Sequence, residues 1–444
     1  MHRNKVFHPL HEPLRSQDSL ELQHEHVGGP FSFMNPTRAH YRHSALPPQA
    51  TLSGYIPDRS GDGTDKERPR NDDEQYASNV EFKWRSRDNR KGRHTLVVEP
   101  SDNSGKYITP KPTTTLRAAG QGVLRMVTQY PYWDVSYLVA VIFTLGSVVW
   151  VINAFFSWLP LVRPSTLFHN EVLYGGGITA FIGATIFEIG SVLLMFEAVN
   201  ENRAGCFGWA LERVWEGDGR RVERVRVRAD KDGCAHHHTN KHNLVGRPEV
   251  RASTHNSNIA DSNSSGDLPI EKSTLTNNDA KSWVWFPSTH ELITHYFREI
   301  GFLASFAQFC GATVFWISGF TALPGINNKM SQGLLDGIFW VPQIVGGTGF
   351  IISGVLFMLE TQPKWYIPAP KVLGWHVGLW NLIGAFGFTL CGALGPAYGN
   401  SGAEYEASLA TFWGSWAFLI GSAVQWYESL DTYPVEERGK DAPT

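Results

Sequence analysis

The chain has 444 residues, 43 Gly, 16 Trp and a formal net charge of −3. A slightly acidic chain lacks the electrostatic footprint of a nucleic-acid binder, so no nucleic-acid partner is expected. Mean hydropathy is slightly negative, but it averages polar blocks at 1–130 and 200–281 with six strongly apolar stretches, which excludes an evenly mixed soluble protein.

Residues 1–128 are rich in His, Pro, Ser, Arg and Asp. Segments such as DRSGDGTDKERPRNDDEQ bury too little apolar area to offset ordering entropy, which predicts a largely disordered tail. Val80–Trp84 and Thr95–Val98 alternate weakly, so a short ordered piece, or a small folded domain, is the other reading. The N-terminus lacks the apolar core of a cleaved secretory peptide.

The apolar stretches are Asp134–Ser157, Tyr174–Val199, Glu299–Thr321, Ile338–Leu359, Leu373–Leu394 and Ala410–Leu430. Each is near the roughly 20 residues a bilayer-spanning helix needs. They divide the chain into hairpin 1 (129–199), a polar, mostly disordered loop (200–281), an interfacial helix with hairpin 2 (282–360), hairpin 3 with its short leading loop (361–430), and a C-terminal tail (431–444). Within the loop, the start at 208–233 suits a short basic helix or strand. Ser288 and Glu291 make a capping-box pattern, and the helix it opens is expected to run straight into the third span. Connections on one side carry only Arg163 and Lys329, whereas Lys364, Lys371, Arg438, Lys440 and the Lys/Arg of the large loop lie on the other. This bias places both termini and the large loop in the cytosol.

The even spans align as FEIGSVLLMFEAVNE, FIISGVLFMLETQPK and FLIGSAVQWYESLDT, and each apolar turn closes on a glutamate: Glu197, Glu360 and Glu428. In the odd spans Gly146, Gly311 and Gly384 correspond. The expected fold is therefore an all-α membrane protein, six transmembrane helices as three parallel two-helix repeats with long disordered cytosolic segments. This pattern, with ITAFIGATIFEIGSVLLMFEAVNENR, GFLASFAQFCGATVFWISGFTALPG and LIGAFGFTLCGALGP, resembles the YrhK-like two-helix membrane module and uncharacterised multi-pass integral membrane proteins of fungi. The resemblance covers about half the chain and implies no particular reaction.

Glu188 lies mid-span, where an acidic group is costly and by default a functional candidate. It is read either as a proton or cation relay or as a protonated carboxyl bonded to Gln308 at similar depth. A carboxylate at a helix C-terminus opposes the helix dipole, so Glu197, Glu360 and Glu428 need compensating partners, with Arg203, Arg298, Lys364, Lys371 and His376 near in depth. A solute pathway needs polar groups on several facing helices at one depth; here Glu188 and Gln308 stand nearly alone, with Asn153 and Gln343 toward the outer face.

The four cysteines read as no disulfide framework. Cys234, His236, His238 and His242 are possible zinc ligands, but their spacing fits no closed zinc module and a solvated loop is the plainer reading. No nucleotide, hydrolase or metalloprotease motif is present, so neither an enzyme nor a cofactor is expected. The reading is a non-catalytic membrane scaffold with the lipid bilayer and cytosolic proteins as partners; the alternative is a proton- or cation-coupled transporter or channel using Glu188.

Overall fold

The structure, a computed structural model, describes residues 5–7, 20–43, 80–93, 95–98, 107–108, 115–217, 283–430 and 436–437. Six helices are long and apolar enough to cross a membrane: Val135–Val162, Glu171–Val199, Ile300–Thr321, Gln332–Thr361, Leu373–Ala397 and Ser401–Ser429. They make this a multi-pass membrane protein. Spans two and four begin earlier than predicted, because π-helical turns at Glu171–Gly176 and Asp336–Trp340 lead into them. Span six starts at Ser401, where the Asn400 side chain accepts from the Gly402 N–H; the polar but helix-compatible SGAEYEAS supplies its first two turns.

Each span packs against its two sequence neighbours, and span six packs against span one, so the six close into a ring. Small residues set the spacing. A Cβ added at Gly349 of span four would lie 2.7 Å from the Gly311 Cα of span three, so these two backbones touch. In lipid such contact replaces hydrophobic burial as the force between helices.

The N-terminal segment departs from the expectation of a disordered 1–128 tail. Strands β1 (Leu20–Gly28), β2 (Arg38–His43), β3 (Val80–Arg85) and β4 (Thr95–Val98) form an antiparallel meander. Val27, Ala39, Tyr41, Phe82 and Trp84 fill its core. The physical reason is period-two alternation: RAHYRH and VEFKWR each send two apolar side chains inward. The polar residues at 44–79 dilute this signal in any compositional average.

Helix α1 (Ser86–Arg90) follows β3 directly, and α2 (Leu116–Thr128) precedes the first span. Leu116, Val123, Leu124 and Val127 are exposed on α2 beside Arg117 and Arg125, the composition of a helix lying in a membrane interface. The sheet and α1 are tied to the bundle by backbone bonds from Asn35 N–H to the Arg298 carbonyl (2.9 Å) and from Asn202 N–H to the Asn89 carbonyl (2.7 Å).

The start of the large loop is the helix Phe207–Gly217, packed with Trp283. The capping box at Ser288 and Glu291 forms as read. Its helix stops at Thr294, however, and Glu299 is extended (φ −98°, ψ 123°), so the chain turns before span three instead of running straight into it. Tyr296, buried in that turn, donates to the Val199 carbonyl at 3.0 Å and holds the corner.

Gly349→Ala is expected to destabilise the bundle by about 1–3 kcal/mol through overpacking. Gly333→Ala, whose added Cβ meets nothing within 4 Å, should leave stability unchanged. Thermal unfolding of the purified protein in detergent compares the two; equal melting temperatures would contradict the close approach of spans three and four.

Candidate functional site

The ring encloses an axis, and each span places one aromatic side chain on it. Trp150, Phe315 and Phe388 of the odd spans form one triangle, with ring centroids 5.5, 4.9 and 5.7 Å apart. Phe187, Phe350 and Phe418 of the even spans form a second, at 6.5, 5.6 and 6.3 Å. All six are buried in one cluster and fill the middle of the axis.

On one side of this plug lies a cavity of about 440 Å³. Trp150, Phe315 and Phe388 border it, and Asn153, Gln343, Cys391 and Thr411 line its walls. The Asn153 amide donates to the Gly176 carbonyl (2.6 Å), and that of Gln343 to the Phe388 carbonyl (3.3 Å). None of the described residues lining this vestibule is charged.

On the other side is a chamber of about 30 Å³. Ser147, Gln308, Asn381, Ser422 and Gln425 line it, and Arg87, Arg90 and Lys91 border it. That volume holds a water molecule, and the polar lining supplies partners for one. Gln308 therefore has polar company that the sequence reading did not foresee, contributed by spans one, five and six.

The end of the axis is closed by α1 and the turn after it. The Arg90 guanidinium bridges Glu197 (Nη1–Oε1, 2.5 Å) and Glu360 (Nη2–Oε2, 2.8 Å), and its carbon lies 5.2 Å from the Phe357 ring centroid. Arg87 and Arg93 reach the two oxygens of Glu428 at 2.7 and 3.1 Å. The Lys91 ammonium is 3.4 Å from Glu197, and the Ser86 hydroxyl donates to Glu360 at 2.8 Å. All three carboxylates are buried, where an unpaired charge would be prohibitive.

Four cations thus meet three carboxylates. Burial holds the Arg87 and Arg90 guanidiniums back, but the facing glutamates outweigh it and keep both firmly charged. Lys91 is the odd member: burial, helped by the neighbouring arginines and opposed by Glu197, lowers its ammonium to about 8.

Beside this cap, Glu201, His295 and Glu299 bring their ligand atoms within 4.8 Å of one another. The imidazole Nε2 is 3.6 Å from Glu201 and 3.5 Å from Glu299. Burial first, then the adjacent Glu201 carboxylate, raise the Glu299 carboxyl well above its ordinary value. The arrangement suits a proton shared between two carboxyls, and its reach matches one divalent ion.

The sequence-predicted residues distribute as follows. Glu197, Glu360 and Glu428 converge, but their cations come from residues 87–93 and not from Arg203, Arg298, Lys364, Lys371 or His376. Glu188 does not bond Gln308. It sits half-buried at the seam of spans two and three, accepting from Thr313 (3.0 Å) and Ser191 (3.4 Å), while Gln308 faces the axis. Cys234, His236, His238 and His242 lie outside the described residues. Cys206 is disulfide-bonded, where the four cysteines read as no disulfide framework, and Cys310 and Cys391 are free thiols. The residues missed were Arg87, Arg90, Lys91 and Arg93. Their signal was SRDNRKGR, a basic cluster directly after an alternating strand, in a chain with three uncompensated acids.

Comparison with known protein families, with curated proteins and with solved structures finds no match.

Replacing Arg90 by Met removes the guanidinium that bridges two buried carboxylates, leaving Glu197 with Lys91 alone and Glu360 with the Ser86 hydroxyl alone, and is expected to cost about 3–5 kcal/mol, whereas Lys91→Met removes a surplus buried cation and should be neutral or stabilising at pH 7. Thermal melts rank the two, and a larger loss for Lys91→Met would refute the assignment. The Glu299 pair gives a pH dependence. A carboxyl raised on folding stabilises fully below its unfolded pKa, and that contribution is lost as pH rises through the folded value. The melting temperature should therefore fall as pH rises above the ordinary glutamate value of 4.5. Glu299→Gln should flatten this fall, and an unchanged profile would remove the shared proton.

Proposed function

We propose that this chain is a non-catalytic membrane protein made of three parallel hairpin repeats, and that its axis is a binding chamber and closed passage for a small uncharged solute. The observation that carries this reading is the vestibule: about 440 Å³, aromatic at its floor, with amide, hydroxyl and thiol groups on its walls and no charge among its described lining residues. A concave apolar site with a few convergent polar groups is the usual form of a small-molecule site.

The repeat reading is supported by register. Phe187, Phe350 and Phe418 are separated by the same intervals as Glu197, Glu360 and Glu428, and Trp150, Phe315 and Phe388 each stand four residues after Gly146, Gly311 and Gly384. It also agrees with the resemblance to YrhK-like hairpins. The Lys/Arg bias puts the capped end in the cytosol. The aromatic plug and the cap are then two barriers in series, the second built from ion pairs that can exchange partners.

The route does not pass Glu188, so the coupling role considered for it has no support from its position. The scaffold reading is the second one, favoured by the sealed axis: with both barriers permanent, the ring is an anchor and the vestibule a dead end.

Thiol accessibility in membranes separates them. In a Cys310→Ser background, native Cys391 reports on the vestibule and Ser422→Cys on the inner chamber. A small membrane-impermeant thiol reagent should modify Cys391 only from the face opposite the cap. Ser422→Cys should be protected with the cap intact and become reactive from the cap side when Arg90→Ala is added. Protection of Ser422→Cys in the Arg90→Ala chain leaves the scaffold reading standing.

A further inference from the structure

A third cavity, of about 570 Å³, lies between the N-terminal sheet and the ends of spans four, five and six. Arg38, Lys83, Arg85, Arg93 and Lys371 converge on it from strands β2 and β3, from the turn after α1 and from the loop before span five. Among the described residues no carboxylate lies within ion-pair distance of Arg38, Lys83, Arg85 or Lys371. The acids on the cavity wall are Asp88, Glu360 and Glu428, and the two glutamates are already committed to Arg87, Arg90, Arg93 and Ser86. Positive charge is therefore in surplus.

We propose that this cavity binds a phosphate-bearing ligand, with the Arg93 guanidinium at its inner wall and Arg38, Arg85 and Lys371 around it. Arg93 is the decisive group. It is 8% exposed, its Nη1 is spent on Glu428 at 3.1 Å, and its buried Nη2 has no hydrogen-bond partner. A buried guanidinium donor left unsatisfied is costly; Arg93 lines the cavity, and a small rotation of its side chain would bring Nη2 to an oxygen anion there. Among the described residues the Arg38 side chain donates only to the Gln362 backbone carbonyl, at 3.4 Å. Burial, and then the neighbouring Arg85, lower its pKa, so two like charges are held together without an anion to relieve them. A phosphate offers several acceptor oxygens in the fork geometry that arginine matches best.

The depth of the cavity admits two sources of phosphate. Its walls include Leu373, the first residue of span five, and Tyr427, near the end of span six, so a lipid headgroup reaches it from the side. A soluble phosphate reaches it from the aqueous phase. The chemistry is the same, and it stands whether or not the vestibule on the other face takes a solute.

The test uses the full chain in nanodiscs of phosphatidylcholine alone, titrated with inorganic pyrophosphate, and in nanodiscs that also contain phosphatidic acid. A melting temperature raised by several degrees in the phosphatidic acid discs only identifies a lipid headgroup. A rise with pyrophosphate in the phosphatidylcholine discs identifies a soluble phosphate. In either arm the Arg38→Ala/Arg85→Ala chain should bind at least tenfold more weakly. If that chain does not melt cooperatively, Lys371→Ala, at the exposed rim, carries the same expectation. No shift in either arm, or a shift that these substitutions leave unchanged, overturns the proposal.

Discussion

The structure depends on putting three carboxylates where a helix least wants them. Glu197, Glu360 and Glu428 close the even spans, each opposing its own helix dipole and each buried. No span supplies the compensation. It comes from a short helix and the turn that follows it, whose guanidiniums are shared so that Arg90 serves two acids and Glu428 is served by Arg87 of the helix and Arg93 of the turn. The N-terminal sheet positions this helix: β3 runs directly into α1, and the Ser86 N–H donates to the carbonyl of Thr37, in the connection between β1 and β2.

Above the cap, the ring obeys the packing rules of lipid. Backbones touch at glycine, as between Gly311 and Gly349, and aromatics fill the space the close approach leaves on the axis. Polar groups are sorted by depth. Amides and hydroxyls occupy the vestibule and the inner chamber, while Glu188 is turned to a seam where the Thr313 and Ser191 hydroxyls donate to it.

Much of this was legible in the chain. Hydropathy located all six spans, since a membrane leaves a helix few ways to satisfy its backbone. The phenylalanine that opens each aligned even-span segment (Phe187, Phe350, Phe418) is the axial aromatic itself. Ser288 and Glu291 declared their cap because the interaction is local. What escaped was long-range pairing. Arg87 and Glu428 are separated by 341 residues, and nothing in local pattern links them. The sheet was obscured for a related reason: its strands are short and the residues between β2 and β3 are strongly polar, so composition argued for disorder. The Glu188–Gln308 pair failed because equal depth does not fix the face of a helix.

The cap also imposes an order on the making of the protein. Residues 86–93 precede the six described spans in the chain, whereas Glu428 stands close to the last residue of the sixth. A chain with two hairpins inserted offers the basic helix only two of its three counter-ions, and Arg87 and Arg93 must wait in water. Full pairing of Arg87 and Arg93 is thus available only once the sixth span is in place, so the cap ties that span to the two earlier even spans.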